Sequence, residues 1–105
     1  MRSLTTHTAT HMKAQEVINK LLVQMILHEE LKDRNETKIF MPATFAQRLE
    51  RDLGIKMIRN MEFNGYRIVF GPFRTISAYN KVKDVEMIMS VNGDFLSDPS
   101  ASISA

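Results

Sequence analysis

Residues 61–70 read MEFNGYRIVF, and this stretch specifies a β-hairpin from its own residues. Asn64 and Gly65 at its centre are typical of a two-residue type I′ turn, because both residue types tolerate a positive φ. Counting outward from the turn places Glu62 opposite Arg67, which sets opposite charges across the two strands. The apolar residues share one face of the hairpin: Phe63, Met61, Tyr66, Ile68 and Phe70. Turn, charge and apolar pattern agree, so the fold is built around an antiparallel hairpin.

The segment before the hairpin predicts a helix followed by a strand. Residues 12–34 contain no Pro or Gly, and their apolar residues recur at the spacing of a helix face. Residues 37–41 (TKIFM) predict a short strand that ends at Pro42, because proline supplies no donor to a strand ladder.

A second helix and further strands complete the pattern. Residues 44–53 predict a helix, with Thr44 and Gln47 at the spacing of a capping box. Gly54 stands where a residue in the left-handed conformation commonly ends a helix. Three later segments predict strands: residues 75–79, 85–91 and 94–96. This order predicts an α+β fold with two helices packed on one face of a small antiparallel sheet.

The composition indicates one domain in a chain of 105 residues, which is 44% hydrophobic and 25% charged. We expect residues 12–96 to form the domain, residues 1–11 a flexible leader and residues 97–105 a flexible tail. The leader has no apolar stretch of a secretory signal, so secretion is not predicted. No apolar run approaches the roughly 18 residues of a membrane-spanning helix. We therefore predict no membrane partner.

Sequence motifs for catalysis and for cofactors are missing. The absence of cysteine excludes disulfides, thiolate zinc sites and cysteine nucleophiles. The glycines stand too far apart for a nucleotide-binding loop, and no zinc-helix motif surrounds any of the three histidines. Glu50 and Asp52 lie about 200° apart on their helix, so they cannot serve one acid–base site. We predict a non-enzymatic protein with no cofactor and no metal site.

Charge is distributed unevenly along the chain. Residues 38–83 carry nine basic groups against three acidic ones, whereas residues 84–105 carry four acidic groups and no basic one. A basic surface of this kind can follow a phosphate backbone, so a nucleic-acid-binding module is the alternative function. Its candidate residues are Arg48, Arg51, Arg59, Arg67 and Arg74. An ordinary solvated surface accounts for the same charges.

The first helix carries the leading hypothesis. Its apolar residues cover a wide arc, which favours contact with a second surface besides its own sheet. We predict an interface with another protein chain, either a second copy or a different protein, at Leu21, Leu22, Met25 and Ile26. On this hypothesis, replacing Met25 with Asp dissolves a homo-oligomer without unfolding the monomer.

Residues 38–73, KIFMPATFAQRLERDLGIKMIRNMEFNGYRIVFGPF, resemble a pattern in small bacteriophage and prophage proteins. In that pattern a short strand ending near Pro leads into a helix and then into a strand pair with G-[YI]-x-[IV]-x-x-x-P. Residues 65–72, GYRIVFGP, match this form, and related pieces occur in phage capsid-type proteins. The resemblance implies a viral, non-enzymatic protein, located in the virion or in the host cytoplasm, that assembles with virion proteins or binds a host factor.

Overall fold

The computed structural model describes residues 12–56 and 62–97. Its two helices are α1 (Ala14–Leu27) and α2 (Ala43–Leu53). Its strands are β1 (Thr37–Pro42), β2 (Glu62–Phe63), β3 (Tyr66–Gly71), β4 (Ile76–Asn80), β5 (Val85–Met89) and β6 (Phe95–Ser97). The predicted α+β fold is confirmed. The leader at 1–11 and the tail beyond Ser97 lie outside the described residues.

The strands form one six-stranded sheet in the order β2-β3-β1-β4-β5-β6. The prediction of a wholly antiparallel sheet is wrong at one pair, because β1 and β3 run parallel. After α2 the chain forms β2 and then reverses direction at the hairpin turn. Strand β3 therefore lies beside β1 and runs in the same direction. A parallel neighbour of this kind requires a long crossover, and α2 supplies it.

The hairpin has the predicted turn and register. Asn64 and Gly65 adopt φ values of 53° and 84°, as a type I′ turn requires. Glu62 lies opposite Arg67 in the ladder, but the two side chains form no ion pair within 4.0 Å. The pairs predicted further from the turn involve residues 57–61, which are outside the described part of the chain.

The helix termini differ from the prediction in two ways. Helix α1 ends at Leu27, because His28 adopts an extended conformation with φ −105° and ψ 124°. Helix α2 begins after Pro42 without a side-chain cap, so the predicted capping box is wrong. At its other end Gly54 adopts the left-handed conformation with φ 71°, as predicted.

Both helices pack against the same face of the sheet, and together they enclose the core. The core residues of the helices are Ala14, Val17, Ile18, Leu21, Leu22, Met25, Phe45, Ala46 and Leu49. Those of the sheet are Ile39, Met41, Tyr66, Ile68, Ile76, Ala78, Met87 and Met89. These sheet residues alternate along their strands, so the residues between them point away from the helices.

This packing corrects the predicted interface on the first helix. Leu21, Leu22 and Met25 are at most 4% exposed, because they form the layer that contacts the sheet. Of these four residues only Ile26, which is 52% exposed, is accessible to a partner in the folded chain. An aspartate at Met25 would therefore place a charge in the core and unfold the monomer.

Candidate functional site

The face of the sheet turned away from the helices has no covering layer among the described residues. We call it the open face, and it consists of Lys38, Phe40, Arg67, Val69, Ser77, Tyr79, Glu86 and Ile88. Each of these residues is exposed or half-buried, whereas its neighbours in β1, β3, β4 and β5 point mainly into the core. An uncovered sheet face that carries large apolar side chains commonly marks an interaction surface.

The strand register places charged and polar residues of the open face side by side in one row. Arg67 lies next to Lys38, Lys38 next to Tyr79, and Tyr79 next to Glu86. Glu62 on β2 extends this row beyond Arg67. We call it the charged row, and it runs from a carboxylate through two cations and a phenol to a second carboxylate.

A second row of the open face lies two residues away from the charged row along each strand, and it is mainly apolar. It places Val69 next to Phe40, Phe40 next to Ser77, and Ser77 next to Ile88. Phe73, from the connection between β3 and β4, packs edge-on against Phe40 with ring centroids 5.7 Å apart. These rings border a shallow depression of about 500 Å³. The open face thus carries an apolar row beside the charged row.

Tyr79 lies between Lys38 and Glu86 in the charged row. Its hydroxyl donates a hydrogen bond of 3.1 Å to Asp84 Oδ1 in the turn between β4 and β5. This hydrogen bond raises the pKa of Tyr79 above its ordinary value, because ionisation would remove the donated proton and set two negative charges together.

The cations of the charged row continue into a cavity at the hairpin end of the sheet. Arg34 contributes from the segment before β1, and the cavity measures about 170 Å³. The Nε of Arg34 donates a 2.6 Å hydrogen bond to the carbonyl of Asn64 in the hairpin turn. Its guanidinium lies over the ring of Tyr66, 5.1 Å from the centroid.

The four described arginines of the predicted nucleic-acid surface do not share a face. Arg67 belongs to the open face, whereas Arg48 and Arg51 lie on α2 on the opposite side of the sheet. Arg48 is directed at its own chain, with Nη2 3.5 Å from the carbonyl of Met12. Arg74 is exposed between β3 and β4, and Arg59 lies outside the described residues.

Sequence reasoning missed the open face because a single strand does not identify it. The alternation in TKIFMP separates Lys38 and Phe40 from the core residues Ile39 and Met41. The sequence could therefore have predicted that Lys38 and Phe40 lie on the same side of the strand. The neighbours of Lys38 depend on pairings with β3 and β4 that no local pattern encodes.

Within residues 12–56 and 62–97, no group of three or more His, Asp or Glu side chains is placed to hold a metal ion. None of the helices in this part of the chain is both long and apolar enough to cross a membrane.

Comparison of the chain with protein-family models, with curated proteins and with solved structures finds no match. The resemblance of residues 38–73 to bacteriophage proteins therefore stays a prediction from sequence.

Proposed function

We propose that the protein is a non-enzymatic protein-interaction module and that its open face binds a second copy of the chain. The observation that supports this proposal is the order of side chains in the charged row. This order is complementary to itself when two open faces meet.

The self-complementarity follows from the strand order. The middle of the sheet lies between β1 and β4. A two-fold axis parallel to the strands at this position sets β3 of one copy over β5 of the other, and β1 over β4. Arg67 then faces Glu86 of the second copy, and Lys38 faces the hydroxyl-bearing Tyr79. Each contact occurs twice, as an isologous interface requires.

The apolar row supports the same arrangement. Under this two-fold axis Val69 faces Ile88 of the second copy, and Phe40 faces Ser77 of the second copy. Pairing of two sheets in this way makes an aligned sandwich, in which inner faces lie about 10 Å apart. The half-buried apolar side chains would then leave water, and this burial supplies the main driving force.

The charge pattern favours a protein partner over nucleic acid. Two carboxylates, Glu62 and Glu86, flank the two cations of the charged row, so this row carries no net charge. A phosphate backbone laid across it would meet a carboxylate at each end. A nucleic-acid surface instead needs an excess of cations along its path.

Charge exchange tests the proposal, with solution mass measured by light scattering over a range of protein concentrations. Arg67→Glu places a carboxylate opposite Glu86 of the second copy at two positions. We expect the dimer to weaken about tenfold, since two rim pairs become repulsive. Glu86→Arg should weaken it similarly, and the double variant Arg67→Glu with Glu86→Arg should restore it.

Arg51→Glu serves as the matched control, because Arg51 is an exposed arginine on the opposite side of the sheet. It should leave the mass unchanged. A monomer at every concentration would contradict the proposal. A dimer that ignores the exchange at Arg67 and Glu86 would also contradict it, and Ile26→Lys would then test whether α1 is the interface.

A second candidate function is binding of single-stranded nucleic acid, which the aromatic residues of this surface favour. Phe40, Phe73 and Tyr79 line the depression next to Lys38 and Arg67, and bases stack on such rings. The same light-scattering samples can include an oligothymidylate at about 50 and 200 mM salt. A complex that is lost steeply over this range would support this function, through counterion release.

The viral assignment is a separate part of the proposal. It rests on the resemblance of residues 38–73, which implies location in a virion or in a host cytoplasm. A self-associating module suits an assembly component, and a host factor is the alternative partner. Detection of the protein in purified particles, against its presence only in the cell extract, separates these locations.

A further inference from the structure

The cavity at the hairpin end of the sheet holds an excess of positive charge. Its lining includes the cations Arg34, Lys38 and Arg67 and one carboxylate, Glu62. Three positive charges against one negative charge leave an excess of two. We call these four side chains and the space between them the cationic cavity.

Two cations of this cavity, Lys38 and Arg67, repel each other, and no ion pair within the described residues offsets this repulsion. Lys38 and Arg67 are direct partners across the parallel pair β1–β3. Like charges at such positions destabilise a sheet. Within the described residues neither side chain forms an ion pair or a hydrogen bond, and Glu62 forms no ion pair with Arg67 although it lies opposite. The fold therefore retains an unfavourable pair that a bound anion would turn into a favourable one.

Arg34 is held in place before any ligand binds. Its Nε–H is donated to Asn64, and its guanidinium stacks on Tyr66. A Cβ at Gly65 would stand 2.6 Å from Arg34 Cδ, so the glycine permits this close approach. The guanidinium has five N–H donors, and this arrangement commits one of them. A fixed fork with free donors suits recognition of an oxyanion.

The wall of the cavity contains further polar groups. Asn35 lines it, and so does Thr37, which is 1% exposed. The hydroxyl of Thr37 has no hydrogen-bond partner in the described structure. A buried hydroxyl without a partner is costly, and this one is enclosed in the wall of the cavity.

We infer that the cationic cavity is a binding site for a phosphate monoester. Such a group carries about −1.5 to −2 charges at pH 7, which matches the excess of two positive charges. A carboxylate or a phosphodiester supplies only one. The site shares Lys38 and Arg67 with the open face, but it does not rest on the proposed function, because Arg34 reaches the cavity from another segment and lies outside the open face.

Inorganic phosphate is the probe for this site, titrated into the full chain and followed by amide resonances of Gly65 and Asn35. We expect saturable shifts in the unmodified chain. Arg34→Gln and Lys38→Gln should each weaken binding about tenfold or more, as loss of a charge-assisted hydrogen bond predicts. Lys81→Gln removes the same charge from an exposed position in the β4–β5 turn and should change the affinity less than about twofold.

The pH dependence gives a second measurement. Binding should weaken as the pH falls through the second pKa of the ligand, which is about 7 for inorganic phosphate and about 6 for a phosphate monoester, because the ligand then loses one negative charge while lysine and arginine stay charged. Absence of saturable shifts, or equal weakening by Lys81→Gln, would overturn the inference. Acetate that binds as tightly as phosphate would reassign the site to carboxylates and overturn it as well.

Oligothymidylate that binds more tightly than phosphate through Arg34 and Lys38 would also overturn the monoester assignment, in favour of a nucleic-acid backbone. Solution mass recorded on the same samples keeps this result separate from the proposed function. Arg34→Gln separates loss of the phosphate shifts from loss of the dimer, because Arg34 lies outside the open face, whereas Lys38 belongs to both surfaces.

Discussion

The two faces of the sheet are built from the same strands but have opposite roles. On β5, Met87 and Met89 point into the core and are fully buried, whereas Ile88 between them is half-buried on the open face. Both faces contain large apolar residues, so hydrophobicity alone does not separate them. The position of the two helices decides which residues hold the fold together and which remain available to a partner.

Adjacent residues on β5 allow the largest test of this comparison. Met89→Ala removes a fully buried side chain and leaves a cavity, so we expect a loss of about 2–5 kcal/mol in the free energy of unfolding. Ile88→Ala on the open face should cost less than about 1.5 kcal/mol, because its side chain already contacts water. Urea denaturation of both variants measures the difference at concentrations where the chain is monomeric.

The same pair also separates stability from association. Ile88→Ala should weaken the dimer, whereas a Met89→Ala chain that remains folded should keep it. Equal losses of stability at the two positions would show that something covers the open face even in the monomer.

Buried polar groups provide an intermediate effect. Asn80 is on the covered face, where its Nδ2 donates a 2.6 Å hydrogen bond to the carbonyl of Glu30 and its Oδ1 accepts one of 3.0 Å from the amide of Lys83. Asn80→Ala should destabilise the fold by about 1–3 kcal/mol, because it removes both hydrogen bonds of a buried side chain and leaves their partly buried partner groups unpaired. Ser77→Ala on the open face is the matched control and should change stability by about 0.5 kcal/mol or less. Equal losses in the free energy of unfolding for the two variants, measured by chemical denaturation, would contradict this prediction.

The two tyrosines, one on each face, give the smallest effect. Burial raises the pKa of Tyr66 above its ordinary value of 10.0, although the nearby Arg34 opposes this shift. The unfolded chain therefore ionises first as the pH rises. The stability from Tyr66 is fully present below about pH 10 and is lost as the pH climbs through the folded pKa.

We expect Tyr66→Phe to flatten this alkaline loss and to cost about 0.5–1.5 kcal/mol at neutral pH. It removes the 3.3 Å hydrogen bond from the Tyr66 hydroxyl to the carbonyl of Lys32. Tyrosinate absorbance in this variant reports Tyr79 alone, since the chain has two tyrosines. Adding Asp84→Asn should lower the pKa of Tyr79 toward its ordinary value. No change in that titration would argue against the role of Asp84.

Local signals predicted much of the fold. The Asn64-Gly65 turn and the left-handed Gly54 follow from the conformations that those residues favour, and both are confirmed. The capping box failed because Pro42 already occupies the N-terminal position of α2, immediately after β1. The turn in the chain at His28 was also missed, since residues 12–34 contain no residue that forbids a helix.

Non-local features account for the rest. The helical spacing correctly indicated that Leu21 and Met25 are apolar neighbours, but it could not show that the sheet takes up both of them. The adjacency of Lys38 and Arg67 results from a parallel pairing between residues 29 positions apart. A pairing of this kind depends on the whole fold rather than on either strand.

Strand β1 has a consequence for how the molecule opens. Within the described sheet, β3 and β4 each pair with β1 and not with each other, so β1 alone joins β2-β3 to β4-β5-β6. If β1 detaches, the ladder divides into two pieces, and neither keeps a complete core. Its amides should consequently exchange with solvent only when the whole domain unfolds. One central strand thus makes the two halves unfold as a single cooperative unit.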